Sequence, residues 1–113
     1  MDTARLTSLL RALADPIRLR MVALLTRRDF CGCELVPLFG VSQPAVSQHL
    51  RRLKAVGLVS ESRHGQWVFY HLEADVMRDV RMALEGIGSF ALPWLDQIGS
   101  GPAGCPLPAP APR

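Results

Sequence analysis

Two of the three cysteines in this 113-residue chain, Cys31 and Cys33, lie on either side of Gly32. Side chains two positions apart on a regular helix point in different directions, whereas in a turn that contains a glycine they can converge. Converging thiolates bind soft metals and metalloids. The alternative is that both cysteines are small buried apolar residues. The odd cysteine count argues against a structural disulfide framework, so the pair is a candidate ligand site.

The basic residues are concentrated between Ser42 and Leu72. This stretch contains Arg51, Arg52, Lys54 and Arg63 against one glutamate, together with all three histidines, and it accounts for the whole net charge of +3. Two interpretations are open, a solvated protein face or a surface for an anionic partner such as nucleic acid.

Three helices are predicted before the basic stretch. The first spans Thr3 to Leu13, and Asp15-Pro16 supplies the N-cap and first-turn proline of the second. The third is expected to begin near Glu34, because Pro37 fits an unkinked helix only in its first turn. This leaves residues 31–33 in the turn before that helix, or in a distorted first turn. The apolar face predicted for the first helix is Leu6, Leu9, Leu10 and Leu13.

The basic stretch predicts a helix followed by a β-hairpin. Ser42 is a suitable N-cap and Gly57 ends the helix. The buried positions of this helix are expected to be Val46, Leu50 and Leu53. Two strands, about Leu58 to Ser62 and Gln66 to His71, follow with a turn at Arg63-His64-Gly65.

A last helix is expected from about Ala74, with a heptad seam of apolar residues. The seam consists of Met77, Val80, Leu84, Ile87, Ala91, Trp94 and Ile98. Gly86, Gly88 and Pro93 interrupt it, so we expect a kink or break near Leu92. Such a seam can be ordinary core, but a chain of this size has few other elements to cover it, and a dimer is predicted.

The composition predicts one globular domain over residues 1–98 and a flexible Gly/Pro-rich tail over residues 99–113 that carries Cys105. No apolar run approaches the ~18 residues of a membrane span, and the N-terminus has no signal-peptide pattern. We therefore expect a cytoplasmic protein with no membrane partner.

The order of elements is that of a winged helix-turn-helix, a mainly α fold with a small β-hairpin (α+β). The helix from Gln43 would lie in the major groove of DNA, and the turn with Arg63 and His64 would form the wing. Gln can bond adenine edges, Arg guanine edges, and Ser either bases or phosphate. The outward residues of the helix are Gln43, Ser47, Gln48, Arg51 and Arg52, with His49 beside them.

The chain resembles the ArsR/SmtB family of dimeric bacterial metal-responsive repressors over about residues 3 to 85. The segments that carry the resemblance are ADPIRLRMVALL, CELVPLFGVSQPAVSQHLRRLKAVGLV and SRHGQWVFYHL. The resemblance implies a symmetric dimer built from the first and last helices, a palindromic operator in double-stranded DNA, and release when an inducer binds. It also implies DNA contacts from Gln43, Ser47 and His49 and, in the wing, from Arg63.

The resemblance also indicates the class of inducer. The zinc, nickel or cobalt type of the family needs histidines on the last helix, and residues 74–98 contain none. The arsenic type has a motif similar to ELCVCDL, which FCGCEL matches, although Val36 stands where a third cysteine is expected. Cys31 and Cys33 are therefore expected to bind As(III) or Sb(III), and Cys105 is the remaining thiol for a third bond, within one protomer or across the dimer.

No constitutive cofactor is expected. Thiols before a helix N-terminus should be stabilised as thiolates, and a metalloid that draws them together should pull on the third helix.

Three alternatives stay open. The same repressor could sense cadmium, lead, a methylated arsenical that needs two thiolates, or thiol oxidation. The Cys-Gly-Cys segment could belong to a thiol oxidoreductase, although it lacks the Cys-x-x-Cys spacing and βαβ context of such enzymes, and we predict that the chain is not an enzyme. The chain could also be a protein-interaction module with a degenerate recognition helix.

Overall fold

The computed structural model describes residues 1–89 and confirms the predicted mainly α, winged helix-turn-helix order. The helices are α1 (Thr3–Leu13), α2 (Pro16–Leu25), α3 (Gly32–Phe39), α4 (Gln43–Ala55) and α5 (Ala74–Glu85). The strands are β1 (Phe30–Cys31), β2 (Val59–His64) and β3 (Trp67–Leu72). A short 3₁₀ turn at Ile87–Ser89 follows α5. The predicted tail and Cys105 lie outside the described residues.

Short polar side chains cap two of the helices, α2 and α4, as the sequence predicts. The carboxylate of Asp15 accepts hydrogen bonds from the backbone N–H groups of Ile17 and Arg18 at 2.9 and 3.0 Å. The Ser42 hydroxyl accepts one from Ala45 N–H at 3.3 Å. These bonds satisfy backbone donors that have no partner inside the helix, which fixes where α2 and α4 begin.

One hydrophobic core joins all five helices to the sheet. It includes Leu9 from α1, Met21 from α2, Leu35 from α3 and Val80 from α5. The predicted buried positions of α4 are confirmed, since Val46, Leu50 and Leu53 are all fully enclosed. The predicted face of α1 is only partly buried: Leu6 and Leu9 are enclosed, Leu13 is half-buried and Leu10 is exposed.

The three strands form one antiparallel sheet in the order β1-β3-β2. The predicted hairpin turn at Arg63-His64-Gly65 is wrong by about two residues, because Arg63 and His64 pair with β3 and the turn is at Gly65-Gln66. Gly65 adopts a φ of 65°, a left-handed conformation that glycine takes without the steric cost of a Cβ. Strand β1, which was not predicted, places Cys31 opposite Phe69.

Helix α3 begins at Gly32, two residues before the predicted start. Cys31 is its N-cap, and the Cys33 backbone N–H donates to Cys31 Sγ at 3.4 Å. Pro37 therefore lies inside the helix, beyond its first turn. Pairing of β1 with β3 holds Cys31 at the sheet, so the helix can start immediately after it.

Helix α5 ends at Glu85, before the two glycines at positions 86 and 88. The first two seam positions, Met77 and Val80, pack on the core, whereas Leu84 and Ile87 are exposed. The predicted break near Leu92 and the seam residues Ala91, Trp94 and Ile98 lie outside the described residues. Within residues 1–89, no helix combines the length and apolar character needed to cross a membrane.

Candidate functional site

Helix α4 presents a polar face opposite its buried stripe. Gln43, Gln48, Arg51 and Arg52 are exposed on it, and Ser47 is half-buried. Amide, hydroxyl and guanidinium groups on one exposed helix can hydrogen-bond base edges and phosphates. The predicted DNA-binding residues of the helix thus lie on a surface that a duplex can approach, apart from His49.

His49 is turned toward α2. Its side chain is 19% exposed, and its Nδ1 lies 3.3 Å from Arg18 Nη1 and 3.9 Å from Asp15 Oδ2. The backbone N–H of Arg18 is the main cause that lowers the pKa of Asp15, with Arg18 and His49 also contributing as charges. The sequence analysis placed His49 beside the outward residues, whereas the structure places it between the two helices.

The two predicted DNA-binding residues of the wing are Arg63 and His64, and both are exposed near the end of β2. His64 Nε2 lies 3.3 Å from Ser62 Oγ, and its ring meets Phe69 edge-on at 5.6 Å between centroids. Trp67, directly opposite His64, is 49% exposed. The wing therefore offers a guanidinium, an imidazole and an indole at one end of the hairpin.

The exposed positive charge comes from arginines. Lys54 pairs with Glu61 at 3.0 Å, which ties α4 to β2 and neutralises one cation of the basic stretch. Arg51, Arg52 and Arg63 form no ion pair within the part of the chain that the structure describes. The three lie on α4 and the wing, where an anionic partner can reach them.

The two thiols open into a pocket of about 510 Å³ between α3, α4 and the wing. Cys31 is 6% exposed and Cys33 is exposed. The residues that line this pocket include Cys31, Cys33, Gln43, Ser47, Trp67 and Tyr70. The structure thus brings the predicted ligand pair next to two of the predicted DNA-binding residues.

Gly32 lies directly against the aromatic wall of this pocket. A Cβ at this position would lie 3.3 Å from Tyr70 Cε2 and 4.0 Å from Gln43 Nε2. The small residue between the cysteines therefore lets the Tyr70 ring approach the backbone closely. Burial raises the pKa of the Tyr70 phenol, with Glu61 adding to the effect, so the ring stays neutral.

The expected thiolate stabilisation is wrong for Cys33. A hydrogen bond with the Cys31 side chain raises the pKa of the exposed Cys33 thiol, and partial desolvation and the nearby charges of Cys31 and Glu34 add to this, against one favourable backbone hydrogen bond. The start of α3 therefore holds a protonated thiol at neutral pH rather than a thiolate.

A third metal ligand is not found among residues 1–89, where no group of three or more His, Cys, Asp or Glu side chains could hold a metal ion. Val36, at the place of the third cysteine in the arsenic pattern, is half-buried against the core. The predicted third ligand, Cys105, is outside the described residues. The described pocket thus offers two sulfur ligands.

Sequence reasoning missed two contacts that hold the junction between β1 and α3. Arg28 stacks over the Phe30 ring at 3.7 Å and pairs with Glu34 at 3.1 Å. His71 Nδ1 lies 2.7 Å from Asp29 Oδ1, and this carboxylate raises the pKa of His71. The charges that flank FCGCEL were the available signal, but their partners depend on β1, which was not predicted.

Comparison with known proteins gives consistent matches. Residues 15–61 match the model of the family described as bacterial regulatory protein, arsR family. The arsenic resistance transcriptional regulator ArsR1 of Pseudomonas putida is 38% identical over 86 residues, which cover 75% of this chain and 67% of that protein.

Two further matches extend the comparison. The transcriptional repressor SmtB of Mycobacterium tuberculosis is 50% identical over 64 residues, covering 57% of this chain and only 47% of that protein, so the match spans about half its length. The solved structure of an ArsR-like transcriptional regulator from Rhodococcus sp. RHA1 superposes with a TM-score of 0.69 at 29% identity, covering 86% of this chain and 89% of that one.

Proposed function

Because the chain belongs to the arsR family of bacterial regulatory proteins, we propose that it is a repressor that As(III) or Sb(III) releases from a palindromic operator. Proteins of this family are DNA-binding transcriptional regulators and not enzymes, so the thiol oxidoreductase alternative is set aside. The observation that carries the proposal is that Cys31 and Cys33 line the same pocket as Gln43 and Ser47 of α4.

Helix α4 enters the major groove in this proposal. Gln43, Ser47 and Gln48 hydrogen-bond base edges, and Arg51 and Arg52 bind bases or phosphates. Arg63 and His64 of the wing contact the DNA backbone. His49 acts through its contact with Arg18 of α2, which sets how α4 is presented.

A homodimer is proposed from exposed apolar side chains at the α1 and α5 end of the molecule. Met82 and Ile87 are both 58% exposed, and Leu84 and Leu10 are also accessible. A second copy would remove this apolar surface from water. Two-fold symmetry of such a dimer would require two half-sites related as a palindrome.

Inducer binding is proposed as a condensation. In arsenite, As(OH)₃, each thiol that binds forms an As–S bond and releases one hydroxide, which leaves as water with the thiol proton. Cys31 and Cys33 supply two bonds, and Cys105 supplies the third. This chemistry needs no preformed thiolate, so the protonated Cys33 is compatible with it.

Release follows from where the sulfurs lie. Cys31 Sγ accepts the N-cap hydrogen bond of α3, so a metalloid bond at this atom competes with the bond that starts the helix. Helix α3 packs directly on α4. A ligand in the pocket also occupies space next to Gln43 and Ser47. A coupling of ~1–3 kcal/mol is typical between two such sites and would lower DNA affinity about 5–150-fold.

The test is arsenite titration of the full chain bound to its own promoter DNA, followed by fluorescence anisotropy. Cys31→Ser and Cys33→Ser should bind DNA like the parent and stay bound when arsenite is added. Ser8→Ala, an exposed change on α1, is a control that should release normally. Release of both cysteine variants at the parent's arsenite concentration would refute the proposal, and a peroxide arm shows whether thiol oxidation is the signal instead.

A further inference from the structure

We propose that Arg18 of α2 is a positioning residue for DNA binding. Its guanidinium holds the imidazole of His49 as the tautomer that carries its proton on Nε2, so that this N–H can donate to an acceptor on the operator. The inference rests on the proposed function, because it needs α4 to lie against DNA. It goes beyond that function in naming the donor that His49 offers and the residue that fixes it.

The Arg18 guanidinium is anchored at the end of α1. Its Nε donates to the Ala12 carbonyl at 2.6 Å and its Nη2 to the Arg11 carbonyl at 3.3 Å. Ala12 lies in the last turn of α1, where carbonyls have no partner inside the helix, so Arg18 satisfies this one from outside. These two bonds fix the plane of the half-buried guanidinium. The remaining nitrogen, Nη1, lies 3.3 Å from Nδ1 of His49 on α4.

The contact with Arg18 determines which nitrogen of His49 carries the proton. A guanidinium has only N–H donors, so Nδ1 accepts from it and is not itself protonated. Asp15 Oδ2, an acceptor that would favour a proton on Nδ1, lies 3.9 Å from this atom, which is beyond hydrogen-bond distance. In a neutral imidazole the hydrogen bond at one nitrogen fixes the proton on the other. His49 is therefore the Nε2–H tautomer.

The Nε2–H of His49 can donate outward. None of the hydrogen bonds within residues 1–89 involves Nε2, and no buried side-chain nitrogen or oxygen there lacks a partner. This atom is therefore in contact with solvent, although the His49 side chain is only 19% exposed. His49 follows the exposed Gln48 and precedes the exposed Arg52 by one helical turn. Its N–H thus lies at the edge of the DNA-binding face, where phosphate oxygens and base acceptors can approach.

Arginine is the residue type that this role requires. Its planar guanidinium presents donors in a fixed arrangement to two α1 carbonyls and to His49 at once, whereas a lysine ammonium is a point charge on a flexible stem. Arg18→Lys therefore keeps the positive charge and loses the orientation. This variant separates a positioning role from a purely electrostatic one.

The first measurement reads the tautomer on the full chain without DNA. Long-range proton–nitrogen correlation spectra in mildly alkaline buffer show which imidazole nitrogen carries the proton, and His49→Asn identifies the His49 signals. We expect a single Nε2–H form in the parent. Arg18→Ala should move the proton toward Nδ1, because the Asp15 carboxylate remains beside that atom, and Arg18→Lys should give a mixture. Arg20→Ala, which removes an exposed guanidinium from the same helix, is the matched control and should leave the Nε2–H form unchanged.

The second measurement is operator affinity, followed by fluorescence anisotropy. His49→Asn keeps an acceptor close to the position of Nδ1 and removes the Nε2–H donor, so it should weaken binding about 2- to 12-fold, the worth of one hydrogen bond. Arg18→Lys should weaken it within the same range. In the double variant the two losses should not multiply, because both act on one donor. The effects of Arg20→Ala and His49→Asn should multiply.

The outcomes separate the two proposals. A parent His49 with its proton on Nδ1, or an Nε2–H form that neither Arg18 variant changes, would overturn the positioning role and leave the repressor proposal intact, since arsenite release tests that separately. Operator affinity in His49→Asn equal to that of the parent would overturn the donor role, and so would losses that multiply in the double variant. A parent that does not bind its promoter DNA would overturn both proposals. The expected tautomer together with coupled losses supports the inference.

Discussion

The pH dependence of ligand binding should distinguish a metalloid inducer from a divalent metal at the same thiols. Hydrogen bonding to Cys31 and partial desolvation raise the pKa of Cys33 above its ordinary value, which favours the neutral thiol near neutral pH. Cadmium can bind it only by displacing the proton, and affinity then rises with pH. Arsenite brings a hydroxide for each thiol proton, and the two leave together as water.

The magnitude follows from the proton count. One displaced proton changes a binding constant about tenfold per pH unit. Cadmium affinity should therefore increase up to about 100-fold from pH 6 to pH 8 through Cys33 alone. Arsenite affinity should change less than about threefold over the same range, because the condensation releases no net proton.

The assay is dithiol competition for arsenite and chelator competition for cadmium, both on DNA-free protein at pH 6, 7 and 8. The free competitors are calibrated at each pH, so that their own titration is removed. Cys33→Ser should flatten the cadmium dependence by about tenfold per pH unit. A preformed thiolate would take up a proton when the hydroxide leaves as water, so an arsenite affinity that falls about tenfold per pH unit would show that the free thiol is ionised, and the argument from the raised pKa would fail.

Three further predictions concern DNA binding, assembly and acid stability. Gln43→Ala should weaken binding to the operator more than to random DNA, whereas Arg63→Ala should weaken both and lower the salt dependence, as measured by anisotropy; equal losses for Gln43→Ala would contradict the groove assignment. Met82→Asp should shift sedimentation from a dimer to a monomer of about 12.4 kDa, since it places a charge on the exposed apolar surface; an unchanged dimer would refute that interface. The folded-state pKa of Asp15 is depressed by the Arg18 N–H, so its contribution to stability is present above its unfolded pKa and is lost as pH falls through the folded one. Urea midpoints of Asp15→Asn should accordingly fall less than those of the parent between pH 5 and pH 2.5.

Local patterns predicted most of the fold because they depend on short-range chemistry. The caps at Asp15 and Ser42 and the buried stripe of α4 are each determined within a few residues, and the structure contains them as predicted. Strand β1 is different. It has two residues and no alternating pattern, and it exists because β3, almost forty positions later, pairs with it through Phe30 and Tyr70. Single-strand periodicity contains no information about that pairing.

The errors at the candidate site follow from this missing strand. Without β1, Pro37 set the expected start of α3 at Glu34, whereas pairing of Cys31 with β3 allows the helix to begin at Gly32. His49 illustrates a contact that the sequence pattern does not contain. Helical periodicity places it next to the exposed positions of α4, but it does not show that Arg18 on α2 reaches its ring. Whether a polar residue at the border of a helix face points to solvent or to another helix depends on the residues that contact it in the folded chain.

The shared pocket makes the proposed switch reciprocal. If a ligand on Cys31 and Cys33 lowers the affinity for DNA by a given factor, bound operator must lower the affinity for that ligand by the same factor. Gln43 and Ser47 line the thiol pocket, so a duplex held by these side chains would narrow the space that an incoming arsenical needs. Direct overlap of this kind predicts a coupling that grows with ligand size, whereas a pull on α3 through the Cys31 cap depends only on the sulfur bonds. A stronger coupling for phenylarsenite than for arsenite would therefore assign the release to overlap at the pocket, and equal coupling would assign it to α3.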